Sequence, residues 1–200
     1  MNEILSNKIN SETVYLPFTE IAPFIHPTAV IRNSSIVGNV IINENVHIVN
    51  AAVRADEGSP FYIGANSNIQ DFAVLHSYTT QKNQDLIKEN LVFIPEQGYY
   101  AIYICQNVTV AHGALIHGPS KIGCNTFIGF KATVDKASIG SNVEIGAHAY
   151  IKKVSIPDNI GIAPNAVILK EEDIKKYTVP LIGVNEKIIQ VNLELAKAYK

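Results

Sequence analysis

The chain has 200 residues, of which 47% are hydrophobic and 17% charged, with a formal net charge of -2. That balance supports an ordered core and excludes a disordered chain. With no basic cluster there is no electrostatic footprint for nucleic acid or for a membrane surface. No apolar run approaches the roughly 18 residues of a membrane span. Residues 1–8 lack the basic-then-apolar order of a secretory leader, so a cytoplasmic location is expected. The two cysteines, Cys105 and Cys124, are too few for a disulfide framework and read as free thiols of a reducing compartment.

Residues 1–20 are polar and irregular and read as a strap or loose terminus. A repeat starts near Phe24-Ile25-His26-Pro27, where His26 reads as a capping or solvated histidine, and Ile36, Ile42 and Ile48 then recur every six residues. The next position in phase is Arg54, and a charged turn follows, Ala55-Asp56-Glu57-Gly58-Ser59-Pro60. The period resumes at Ile63, Ile69 and Leu75 and is lost again over about 77–101. Residues 79–85 are polar and turn-like. Residues 91–94 and 99–102 read as two strands around Pro95-Glu96-Gln97-Gly98, within an insertion thrown out at a coil corner. Loops of this length carry function more often than the rungs that support them.

The clearest stretch is Ile104, Val110, Ile116, Ile122, Ile128 and Val134, followed mostly by small residues (Ala111, Gly123, Gly129). No helix has a period of six. A strict six in β-branched residues predicts an all-β solenoid, a parallel β-helix of hexapeptide repeats in which each short strand is one side of a triangular coil. The spacing slips once to Ile139, Ile145 and Ile151 and once more to Ile156, Ile162 and Ile168. From Glu171 the pattern is helical, and a C-terminal α-helix over about 185–200 is expected to lie on the side of the coil. The chain reads as a single domain over 1–200, with the β-helix over about 24–170.

Aliphatics that fill the coil leave no internal pocket, so a site must form between protomers, and a triangular prism predicts a homotrimer. Three histidines stand beside repeat aliphatics: His76 after Leu75, His112 two after Val110, and His117 after Ile116. His76 and His117 share one hexad position and point off the same kind of face. Three neutral imidazoles plus water make an open, catalytic zinc site, whereas a closed structural site wants four protein ligands. Beside them lie Arg54, Asp56, Glu57, Asn68, Gln70 and Asp71. Asn68 reads equally well as a turn residue, while Gln70 and Asp71 follow an interior aliphatic and share the face of His76.

Arg54-Ala55-Asp56-Glu57-Gly58-Ser59-Pro60, Ser67-Asn68-Ile69-Gln70-Asp71, Val74-Leu75-His76, Val110-Ala111-His112 and Ile116-His117-Gly118-Pro119 together resemble the gamma-class carbonic anhydrases. The histidine spacings of 36 and 5 match that family's metal triad, and the resemblance runs from about Ile25 to the terminal helix. It implies a left-handed coil assembled as a trimer, with zinc, or ferrous iron or cobalt in its place, held by His76 and His117 of one protomer and His112 of its neighbour. The implied reaction is reversible hydration of carbon dioxide to bicarbonate by a metal-bound hydroxide. The resemblance further assigns Glu57 and Gln70 to the water, Asn192 to carbon dioxide, Arg54 to bicarbonate steering, and Asp56, Asn68 and Asp71, with Arg54, to support near the subunit interface.

Two positions depart from the family pattern. A glutamate proton shuttle three residues after the first histidine is Thr79 here, and a tyrosine two before Asn192 is Gln190. Asp85, Glu89 and Glu96 of the insertion are carboxylates that could take over proton export. The alternatives are a family member that binds metal without this activity, a hexapeptide-repeat acyltransferase, and a scaffold.

Overall fold

The computed structural model of the chain describes residues 21–83 and 85–199. The strap expected over residues 1–20 lies outside them. The described chain winds into a left-handed parallel β-helix whose three faces are sheets of seven, eight and seven strands. Three interior ladders hold it together. The first sheet stacks Ile42, Ile63, Ile104, Ile122, Ile139 and Ile156. The second stacks Ile48, Ile69, Val110, Ile128, Ile145 and Ile162. The third stacks Ile36, Val53, Leu75, Ile116, Val134, Ile151 and Ile168. Every one of these side chains is at most 2% exposed. Removing one from within a ladder opens a void lined by its two vertical neighbours. The apparent break at Arg54 is a slip of one residue: Val53 fills the core and Arg54 points outward.

The corners follow from backbone chemistry. Asn45, Asn66, Asn107, Asn125, Asn142 and Asn159 all sit in the left-handed region, with φ between 54° and 61°, which asparagine tolerates better than other side-chain-bearing residues. Their carboxamides continue the stack outside the core. Asn45 donates to Asn66 at 3.2 Å, Asn66 to Asn107 at 3.2 Å, and Asn107 to Asn125 at 2.9 Å. The small residues after the aliphatics are required by close approach. A Cβ at Gly123 would lie 2.4 Å from the Gly140 carbonyl carbon, and one at Gly129 would lie 2.5 Å from the Ile145 oxygen.

The insertion forms two hairpins, Gln81–Lys82 against Asp85–Leu86 and Val92–Ile94 against Gly98–Tyr100. Residues 79–85, which read as a turn, thus contain a short antiparallel pair. Ile102–Ile104 has already rejoined the first sheet. Tyr100 packs with Tyr62 and Tyr103 and ties the second hairpin to that sheet.

The cysteines correct the expectation of free thiols. Ile104 is opposite Ile122 in register, which places Cys105 and Cys124 at the same corner of successive coils, 4.7 Å apart at Cα and joined as a disulfide. Vertical stacking, invisible in a spacing of 19 residues, makes them neighbours. The compartment argument drawn from unpaired thiols falls with it.

Helix α1, Glu171–Tyr177, and the strand Thr178–Val179 cover the C-terminal end of the coil. The strand pairs antiparallel with Gly161–Ile162, which blunts an exposed edge. Helix α2, Val184–Ala198, lies along the second sheet and buries Asn185, Ile189 and Ala196. Its start is set by Glu144, whose two carboxylate oxygens accept the Ile182 and Val184 N–H groups at 2.8 Å, so that the first N–H of the helix, which has no partner within it, is satisfied. Among the described residues no helix is long and apolar enough to cross a membrane.

Candidate metal centre

Because strand side chains alternate and Leu75 and Ile116 point inward, His76 and His117 project from the outer surface of the third sheet. They belong to one vertical column, Arg54, His76, His117, Asp135 and Lys152, each in register with the next. The two imidazole rings stand 5.5 Å apart, edge to face. His76 Nε2 lies 3.6 Å from Asp56 Oδ1 and 3.9 Å from Glu57 Oε1. Asp56 is almost fully buried and is clamped by Arg54, whose Nε and Nη2 both donate to Asp56 Oδ2. His117 Nδ1 lies 3.4 Å from Asp135 Oδ1, and the other Asp135 oxygen accepts from Lys152 at 2.9 Å. His76 Nε2 and His117 Nδ1 are buried yet have no hydrogen-bond partner, a costly state for a ring nitrogen. Burial holds His117 below the usual histidine range, although Asp135 pulls the other way. Tyr78 covers His117 edge-on at 4.4 Å, and Lys136 sits over the Tyr78 ring.

His112 occupies a different place. It lies at the corner after Val110, on a groove of about 600 Å³ between the second sheet and α2. Its Nδ1 lies 3.0 Å from Asp71 Oδ2, and its ring stacks on Phe130 at 5.7 Å. Asp71 Oδ1 accepts from Asn50 at 2.7 Å, and this bond is the chief reason its carboxyl stays below the usual range. Gln70 donates to Asn68 at 2.9 Å, and Asn68 donates to Thr109 at 3.0 Å. Asn68 is therefore a fully buried strand residue and not a turn residue. Asn192 reaches the groove from α2, with Oδ1 at 3.3 Å from His47 Nδ1 and Nδ2 donating to the Ile188 carbonyl at 3.0 Å. Burial pushes His47 down, despite the Asn192 contact.

One protomer thus gathers His76 and His117 with Arg54, Asp56 and Glu57 on one face, and His112 with Asn68, Gln70, Asp71 and Asn192 on another, which corrects the expectation that Gln70 and Asp71 share the face of His76. Among the described residues no three histidine, cysteine or carboxylate side chains of a single protomer come close enough to hold a metal. Thr79 is exposed, and Gln190 donates to Glu194 one turn further along α2. Sequence reasoning passed over His47, Asp135 and Lys152. Their signal was available: Asp135 follows Val134, and Lys152 follows Ile151, as His117 follows Ile116. His47 precedes the interior Ile48 as Asn68 precedes Ile69.

The family profile described as "Bacterial transferase hexapeptide (six repeats)" matches residues 119–153. The hexapeptide transferase family protein from Anaplasma phagocytophilum superposes with a TM-score of 0.65 at 20% identity, over 90% of this chain and 94% of that one, a likeness of fold alone. The carboxysome assembly protein CcmM of Nostoc is 39% identical over 57% of this chain, which spans only 18% of that protein. The carbonic anhydrase of Methanosarcina thermophila is 36% identical over 189 residues, 90% of this chain and 75% of the enzyme. Identity of that extent, on this coil, makes the chain a member of the gamma-class carbonic anhydrase family.

Proposed function

We propose that this protein forms a homotrimer that reversibly hydrates carbon dioxide to bicarbonate, using a divalent metal held between protomers by His76 and His117 of one chain and His112 of its neighbour. The observation that carries this reading is the paired outward imidazoles, 5.5 Å apart, with the buried and unpartnered His76 Nε2 facing the carboxylates of Asp56 and Glu57. The donor set fits a metal. Neutral imidazole nitrogens with an open position suit catalytic zinc, with ferrous iron or cobalt as substitutes. Held in this way, a cation would lower the pKa of a water bound to it from about 15.7 to about 7.

The remaining work falls to the chain's own groups. The half-exposed Glu57 carboxylate takes the proton of the water or orients it. Gln70 keeps its carboxamide nitrogen tied to Asn68, so its oxygen is presented to the water in a set direction. Asn192 has one N–H committed to Ile188, and its second N–H is available to a carbon dioxide oxygen. Arg54 neutralises the buried Asp56 and leaves part of its guanidinium in solvent, where it attracts bicarbonate.

Proton export is the weak step. Threonine at position 79 has no titration near neutrality, and the candidate substitutes, Asp85, Glu89 and Glu96, are exposed residues of the insertion. That substitution favours one second reading, a family member that binds metal and turns over slowly or not at all. Stopped-flow carbon dioxide hydration by anaerobically purified protein loaded with zinc or ferrous iron, beside His112→Ala, separates the two. Activity lost in the variant supports the enzyme. Stoichiometric metal without activity supports the second reading. A monomer in sedimentation removes both.

A further inference from the structure

We propose that Asp135 is a positioning residue for His117, accepting a hydrogen bond from its Nδ1–H so that the Nε2 lone pair is the one presented to a cation. The proposal rests on the metal reading above and adds a residue to it. Four observations carry it. His117 and Asp135 are direct partners on adjacent rungs, so their side chains leave the sheet side by side. His117 Nδ1 and Asp135 Oδ1 lie 3.4 Å apart. Both atoms are buried, and neither has a hydrogen-bond partner. Lys152, one rung further on, holds the other Asp135 oxygen at 2.9 Å and so sets the plane of the carboxylate.

Two buried, unsatisfied groups that face each other are a hydrogen bond waiting for a small ring rotation. Leaving them apart would leave the desolvation cost of both uncompensated. The imidazole is crowded on its other sides by Tyr78 at 4.4 Å and His76 at 5.5 Å, so few orientations remain. A carboxylate on the second ring nitrogen fixes the tautomer and raises ligand basicity. Asp71 stands in the same relation to His112 Nδ1 at 3.0 Å, which gives two of the three imidazoles the same support. A plain surface ion pair between Asp135 and Lys152 would not place the free carboxylate oxygen against a ring nitrogen and away from water.

The test compares full-length wild type, Asp135→Asn, Asp135→Ala and His117→Ala. Zinc affinity is read by competition with a chromogenic chelator, and the His117 tautomer by side-chain 1H–15N correlation spectra. Asp135→Ala is expected to weaken zinc by on the order of 10- to 100-fold and to lower the Nδ1–H population of His117. Asp135→Asn, which keeps an acceptor oxygen but not the charge, is expected to weaken zinc less, and it decides the matter should the alanine variant fail to fold. Wild-type zinc binding with both variants within about twofold of it, and the tautomer unchanged, overturns the positioning role alone. Wild type that binds no zinc overturns the metal reading and the positioning role together.

Discussion

The two histidine faces of this protein are built by different physics. His76 and His117 stand on a rigid ladder, one rung apart, each anchored by an interior neighbour with no exposure at all. Their positions are consequences of the core. His112 stands at a left-handed corner beside Gly113, its side chain about half exposed, and it is steadied by Asp71 and Phe130 and not by the rung. The ladder supplies a fixed pair, while the corner supplies a group that can be offered to another molecule. Under the proposed function a site divided in this way is completed only when protomers meet, so metal binding is expected to follow assembly.

The comparison can be broken most severely by removing one histidine from each face. His117→Ala and His112→Ala are each expected to lose more than the roughly 100-fold that outer-shell changes cost in metal affinity or turnover, read by metal analysis and stopped flow. Mixing the two inactive variants and letting subunits exchange is expected to restore about one quarter of wild-type activity, the share of interfaces that pair an intact ladder with an intact corner. No recovery on mixing would place all three ligands in one chain and refute a divided site.

The next largest effect concerns rigidity. Ile116→Ala, directly behind His117, is expected to cost about 2–5 kcal/mol in denaturant unfolding. Val191→Ala, half exposed on the groove side, should stay within about 0.5 kcal/mol. Similar losses at the two positions would show that the groove is as tightly packed as the ladder. Third, Thr79→Glu returns a carboxylate beside the ladder face and is expected to raise turnover in weak buffer by about 10-fold or more. An unchanged rate would show that a carboxylate at position 79 does not limit turnover.

The smallest effect separates His47 from the rest of the groove. Burial holds its folded pKa below the ordinary 6.5, so on acidification the unfolded chain takes up this proton first. Stability is therefore complete above the ordinary value and is lost as pH falls below it. His47→Gln is expected to flatten part of the fall in melting temperature between about pH 7 and about pH 5.5. An identical fall in the variant would show that His47 is free to protonate when folded.

Much of the fold was legible because a core with one residue per side repeats in the sequence as it does in space. Ile104 to Val134 announces six successive sides of the coil, and the family follows from the motifs strung on that frame. The slip at Val53 was harder to see, since one residue more or less at a corner costs little while the aliphatic still reaches the core. The pairing of Cys105 with Cys124 was misread, because residues 19 apart become neighbours only once one coil is laid on another. Sequence alone left Asn68 open between a turn and a supporting role for the same reason: its partner, Thr109, lies 41 positions away across the insertion.

The sequence by itself determined the periodic coil, its interior, its family, and the outward direction of His76 and His117, because alternation and period are local properties of the chain. Only the tertiary structure decided which outward groups touch. Asp135 beneath His117, Asp71 against His112, and Asn192 brought by α2 to His47 depend on the vertical register of coils and on where a helix docks, and those are set by packing between segments far apart in sequence.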